Sequence, residues 1–189
     1  MSSKPVGRSK GAAPTTSSIA DPVGSRAQSL SSEPKETFAE VSNESSFLHI
    51  KRQPAESVEF VYCASLLHRM ARSEADDMLA ACFHALRPLG TLRVATLDLD
   101  RIVHGYLFDW TDLGDGLSRT GRLNAAIQRQ DVKYIFGEEE LTTALIRAGF
   151  VEIQRFCAGA SSHRRFWSLE RDPDQTLILE AKKPVLSGG

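Results

Sequence analysis

Two short stretches carry side chains whose types and spacing can do chemistry. Cys63, Ser65 and His68 follow the β-branched and aromatic run at residues 58–62 (VEFVY), and Asp98 and Asp100 follow the run at 91–97 (TLRVATL). In open α/β sheets ligands sit beyond the carboxyl ends of the strands, which is where these residues stand if both runs are strands. His68 can act as a general base, because an unperturbed imidazole titrates near neutrality; the plainer alternative is a surface histidine on a short helix. Cys63 can be a nucleophile, but no His or Asn partner follows from spacing, so a small buried core thiol competes with that reading. Asp98 and Asp100, two apart, can share a face for acid–base work or a metal. Alternatively, Asp98 caps the turn leading to Ile102 and Asp100 is solvated. His49, His84, His104 and His163 show no ligand spacing, which argues against a metal site.

A second polar group lies at 158–174, a segment too long for a tight hairpin. It holds Ser161, Ser162, Arg164, Arg165 and Arg171. Arginines beside serines can grip a phosphate or carboxylate of a sugar substrate, and a solvated loop with local ion pairs is the competing reading.

The elements that must position these groups follow from pattern. The run at 58–62 has little alternation, as expected of a strand buried on both faces. Residues 64–70 suit a short helix. Ser73 is placed to cap a helix with Asp76 three residues on. Ala75, Met78, Leu79, Cys82 and Leu86 then recur at helical spacing. Pro88 and Gly90 stop the helix, and 91–97 is the next strand. Strand, crossover helix and strand make the unit of a parallel sheet with helices on its faces. Further on, helical turns are expected at 102–108 and 123–128. A helix at 137–148 has acids in its first turn and Gly149 at its end. Strands are expected at 151–157 and 176–181, and the run FLHI at 47–50 suits a short strand.

Composition narrows the rest. Hydrophobic residues make up 41% and charged residues 25% of 189, enough for one domain with an ordinary core and a tail. Residues 1–45, rich in Ser, Pro, Ala and Gly, read as a disordered tail, 46–185 as the folded domain and 186–189 as a flexible end. A net charge of −1 without a basic stripe speaks against nucleic acid or a polybasic membrane anchor as partner. Cys63, Cys82 and Cys157 lack C-x-x-C spacing, which fits a reducing cytoplasm.

Five segments, SVEFVY (57–62), RPLG (87–90), LRVATLDLD (92–100), AGF (148–150) and TLILEAKKP (176–184), occur in an order that resembles class I S-adenosylmethionine-dependent methyltransferases. The likeness is greatest to type 11-like bacterial members associated with surface-sugar biosynthesis. The resemblance implies an incomplete Rossmann-like α/β sheet whose strands correspond to 4-5-7-6, flanked by helices. It implies S-adenosylmethionine as methyl donor, with Cys63 and Ser65 near it, and a sugar or other small molecule as acceptor. Arg122, Asn124, Lys133 and Tyr134 then fall where that family faces its acceptor.

The chain departs from the family at telling places. No strand ends in G-x-G-x-G, since the one G-x-G is Gly114-Asp115-Gly116, and no acid stands where the donor's ribose is held. Glu59 replaces an Asp, Leu89-Gly90 replaces Gly-Gly, and Ser65-Leu66-Leu67-His68-Arg69 replaces H-x-L-E-H. The truncated pattern leaves two readings open: an enzyme, or a non-catalytic scaffold that pairs with a complete enzyme or a separate donor-binding half. It also leaves strand 58–62 at the sheet edge, to be covered by FLHI, the tail or a protein partner.

Overall fold

The computed structural model describes residues 37–109, 116–129, 131–167, 169–170 and 176–185. In chain order the elements are β1 (Phe38–Val41), α1 (Glu44–Lys51), β2 (Val58–Ala64), α2 (Arg72–Ala85), β3 (Leu86–Leu97), α3 (Leu99–His104), α4 (Arg119–Arg129), α5 (Glu138–Arg147), β4 (Val151–Arg155) and β5 (Thr176–Lys182). Short 3-10 turns at Leu67–Arg69 and Arg164–Phe166 and a π turn at Gly105–Asp109 complete them.

The fold is α/β, with one five-stranded sheet in the order β1-β2-β3-β5-β4. β2 and β3 run parallel, and β5 is antiparallel to both β3 and β4. The β2-β3-β5-β4 run is the neighbour order the resemblance implies for strands 4-5-7-6. β2 is not an edge. β1 lies parallel to it in unbroken register, from Phe38 opposite Phe60 to Val41 opposite Cys63.

That strand corrects the boundary expected at residue 46, because residues 37–45 belong to the folded domain. FAEV becomes a strand by pairing, with Val41 fully buried against the core. FLHI is not a strand but lies inside α1. The reason is local: the Asn43 side chain accepts from the Ser46 N–H (2.9 Å), and the Ser46 hydroxyl accepts from the Asn43 N–H (3.0 Å). This reciprocal cap starts a helix just before the apolar run. Residues 1–36, the remainder of the expected tail, and 186–189 lie outside the described residues.

α2 begins two residues earlier than expected. Ala71, not Ser73, is its N-cap residue, and the Glu74 carboxylate takes the Ala71 N–H (2.8 Å). Asp76 pairs with Arg72 instead (2.8 Å). The apolar face reads as expected, with Ala75, Met78, Leu79 and Cys82 all buried. The helix ends at Ala85, and Pro88 and Gly90 lie in an irregular start of β3. A Cβ on Gly90 would stand 2.8 Å from the Arg87 carbonyl and 3.0 Å from that of Glu59, so only glycine fits this close approach of β2 and β3. Behind α5, Gly149 takes φ 101 and packs its backbone on the Phe83 ring.

Two cores result. α1, α2 and α5 close one face of the sheet over Val61, Cys63, Leu92, Val94 and Leu179. The opposite face carries Phe60, Tyr62, Ala95 and Ile178 and is covered by Phe166, with Phe156, Ala158 and Leu169 packed alongside. Among the described residues no helix is long and apolar enough to cross a membrane.

Candidate functional site

The carboxyl ends of β2 and β3 meet at a turn built from unusual backbone. Ser65, exposed at the end of β2, adopts a left-handed φ of 50, and its N–H donates to the Ala95 carbonyl (2.8 Å). A non-glycine residue in that region is uncommon and costs local strain. It turns the chain so that Leu66, Leu67 and His68 fold back into the core.

His68 is therefore not on the surface; only 2% of it is exposed. Its Nδ1 lies 3.3 Å from the Thr96 hydroxyl, itself buried near the end of β3. Burial, with the Arg69 charge as a second cause, pushes the imidazole pKa down to about 4. At neutral pH the ring is uncharged and has the protonation state a base needs. The His68 carbonyl accepts from the N–H groups of Lys133 (2.8 Å) and Tyr134 (3.1 Å), which anchors the segment after α4 over the same turn.

Asp98 is fully buried and occupied. Its Oδ1 accepts from the N–H groups of Asp100 (3.0 Å) and Arg101 (3.2 Å), capping α3, and its Oδ2 pairs with Arg155 at 2.8 Å. Arg155 also grips Glu138, a hydrogen bond that raises the guanidinium pKa further. Of the two readings of the Asp pair, the cap with a solvated Asp100 describes the geometry.

Beside them an open groove of ≈ 530 Å³ runs between α5 and the start of α3, with Arg72, Asp100, Glu139, Glu140 and Arg147 among its walls. The Tyr134 hydroxyl donates to Glu140, which raises the phenol pKa. Cys63 is a fully buried core thiol, and burial pushes its pKa well up. It is placed as a packing group. Among the described residues no cluster of His, Cys, Asp or Glu could hold a metal ion.

The structure separates the remaining candidates. Asn124, on α4, is exposed and spends its amide on the Thr120 carbonyl (3.0 Å). Arg122 is half-buried on the same helix. Arg164 lies near the opposite end of the sheet. Its neighbour His163 contacts Thr91 (3.3 Å) and the Phe60 ring (5.1 Å), midway along β3 and about 20 Å along the strand from Asp98. The Arg164 guanidinium stacks on Trp167 at 5.4 Å. The Ser161 hydroxyl accepts from the His163 N–H (2.9 Å), so it shapes the turn. Arg171 lies outside the described residues.

Sequence reasoning passed over Arg93 altogether. It is the largest fully buried side chain, pairing with Glu170 (2.7 Å) and Glu180 (2.5 Å) and donating to the Ala160 carbonyl (2.9 Å). Its Nη2 is buried with no partner among the described residues. A charged residue in the middle of an otherwise apolar strand was the available signal.

S-adenosylmethionine, on the plan the resemblance implies, needs a glycine-rich turn after the strand beside β2, where backbone N–H groups approach the ligand. That strand is β1, and its turn is Ser42-Asn43. The Ser46 hydroxyl takes the N–H of both Ser42 (2.9 Å) and Asn43, while Asn43 takes that of Ser46. The N–H groups of Ser42, Asn43 and Ser46 are thus taken by the chain's own side chains, and no glycine opens the approach. This turn does not fit the donor.

No protein-family model matches the chain, and no curated protein matches it. Among solved structures it is similar to a SAM-dependent methyltransferase from Archaeoglobus fulgidus, at 13% identity over 72% of this chain and 64% of that one, with a TM-score of 0.48. It is also similar to a SAM-dependent methyltransferase, possible histamine N-methyltransferase, from Thermotoga maritima (17% identity, 71% and 61% covered, TM-score 0.44). A possible exported protein from Bordetella parapertussis is a third (13%, 72% and 42%, TM-score 0.46). The chain spans less than two thirds of the length of each.

Proposed function

We propose that this chain is a methyltransferase-like α/β domain that does not hold S-adenosylmethionine by itself. It serves as a scaffold subunit for methylation of a sugar or other small molecule, with a partner supplying the donor site. The motifs in order from SVEFVY to TLILEAKKP and the β2-β3-β5-β4 arrangement support the methyltransferase likeness. The observation that carries the donor-free reading is the Asn43–Ser46 cap, which closes the turn after β1. The state of the carboxyl-end groups agrees with it, since Asp98 is used as a cap and Cys63 as core.

Calorimetric titration of the purified chain with S-adenosylmethionine tests this. The expected result is no binding up to millimolar ligand, and no methyl transfer from labelled donor by the chain alone. Micromolar binding, or turnover without a partner, would overturn the reading in favour of an autonomous enzyme.

A further inference from the structure

The two edges of the sheet are not alike. β4 is spoiled for pairing: Glu152 bulges out at a left-handed φ of 50, register slips between Val151 and Gln154, and the Glu152–Lys182 pair lies along it. β1 has none of these protections. The Phe60 N–H donates to the Thr37 carbonyl. Backbone groups alternate along a strand, so Thr37, Ala39 and Val41 face β2 and the N–H and C=O of Phe38 and Glu40 face outward. Among the described residues no strand pairs with that outer side.

Exposed aromatic surface lies beside this edge. Phe38 is 36% exposed and its ring stands 6.2 Å from Phe166. Trp167, next in the chain, is 49% exposed, with its indole N–H fixed to the Ser161 carbonyl (3.0 Å) and Arg164 stacked on its ring. Aromatic and arginine side chains held rigid at the surface are the usual anchors of an interface.

We propose that this edge pairs with the same edge of a second copy, as a two-fold antiparallel β1–β1 contact. The outward groups fit one register. Phe38 pairs with Glu40 of the second copy, and Glu40 with Phe38 of the second copy, each pair exchanging two hydrogen bonds. Ala39 meets its own copy at the axis, where a small side chain permits close approach. Glu40 of the second copy then lies beside Phe38, close to the turn that carries Arg164 and Arg165, and the complementarity holds in both directions as two-fold symmetry requires. The contact uses the backbone of Phe38 to Glu40, alongside Phe60 to Tyr62 of β2, and stops short of the turn at Ser42-Asn43.

Sedimentation velocity of the full chain over a range of concentrations tests this. The wild type is expected to form a dimer that grows with concentration. Glu40→Pro removes an outward N–H without touching the β1–β2 ladder, a place where an edge strand tolerates proline. It is expected to be monomeric throughout, with an unchanged circular dichroism spectrum. Glu40→Arg is expected to weaken association about tenfold, and adding Arg164→Glu to restore it. If Glu40→Pro fails to fold, the charge-swap pair decides. A wild type that stays monomeric, because residues 1–36 or another protein take the edge, overturns the proposal. So does a dimer indifferent to Glu40→Pro or to the charge swap.

Discussion

On one face of the sheet three helices lay Ile50, Met78, Leu79, Cys82, Leu141 and Leu145 against Val61, Leu92, Val94 and Leu179, with no charge among them. Among the described residues no α-helix contributes to the core on the other face. An irregular strap, residues 156–167 and 169–170, crosses Phe60, Tyr62 and Ile178, pinned by Phe166 and by Arg93 held between Glu170 and Glu180. The first face is held by apolar burial, worth about 1.5–3 kcal/mol for each large side chain. The second depends on a buried ion cluster, whose worth lies mostly in the cost of breaking it. Non-directional packing tolerates substitution of similar volume, whereas the cluster requires every member.

That contrast can be broken most sharply at Arg93. Arg93→Ala leaves Glu170 and Glu180 buried without their cation, and a loss of about 4 kcal/mol is expected in urea unfolding. Replacing all three residues by Met, Gln and Gln is expected to recover much of it, which a purely steric role for Arg93 would not allow. On the helical face Leu79→Ala should cost about 3 kcal/mol through transfer and cavity terms, and Leu79→Met under about 1.5 kcal/mol.

His68 sharpens the comparison by pH. Its folded pKa of about 4 lies below the ordinary 6.5, so between those values the unfolded chain binds more protons. The stability this neutral histidine confers is fully present above pH 6.5 and is lost as pH falls toward 4, by about 3 kcal/mol in all. His68→Gln should flatten that part of the stability–pH curve when urea midpoints are compared. An unchanged slope would mean the imidazole is not buried as described. The smallest effect is expected at the start of α1, where Asn43→Ala should cost about 1 kcal/mol of thermal stability by removing the cap.

The helical face was legible in the sequence because its information is local. Ala75, Met78, Leu79 and Cys82 repeat at helical spacing, and the acids and Gly149 around α5 mark its ends. The strap face was not. Glu170 and Glu180 lie 77 and 87 residues from Arg93, and no local pattern announces such a partnership. FLHI was misread because four apolar residues suit either a strand or a helix, and two hydrogen bonds at Asn43 and Ser46 decide between them. His68 was misplaced because the fold-back that buries it depends on the left-handed Ser65, which no residue-type rule predicts for a serine.

The sequence by itself determined the β2–α2–β3 unit, the later strands along the chain and the absence of a glycine-rich turn, since these rest on periodicity, turn residues and composition. Only the tertiary structure decided that β1 covers β2, that Asp98 is a cap and that His68 is buried and neutral. It also decided that Arg93 locks the second face. Each of these depends on backbone pairing or charge contact between residues far apart in the chain, and only folding brings those partners within range.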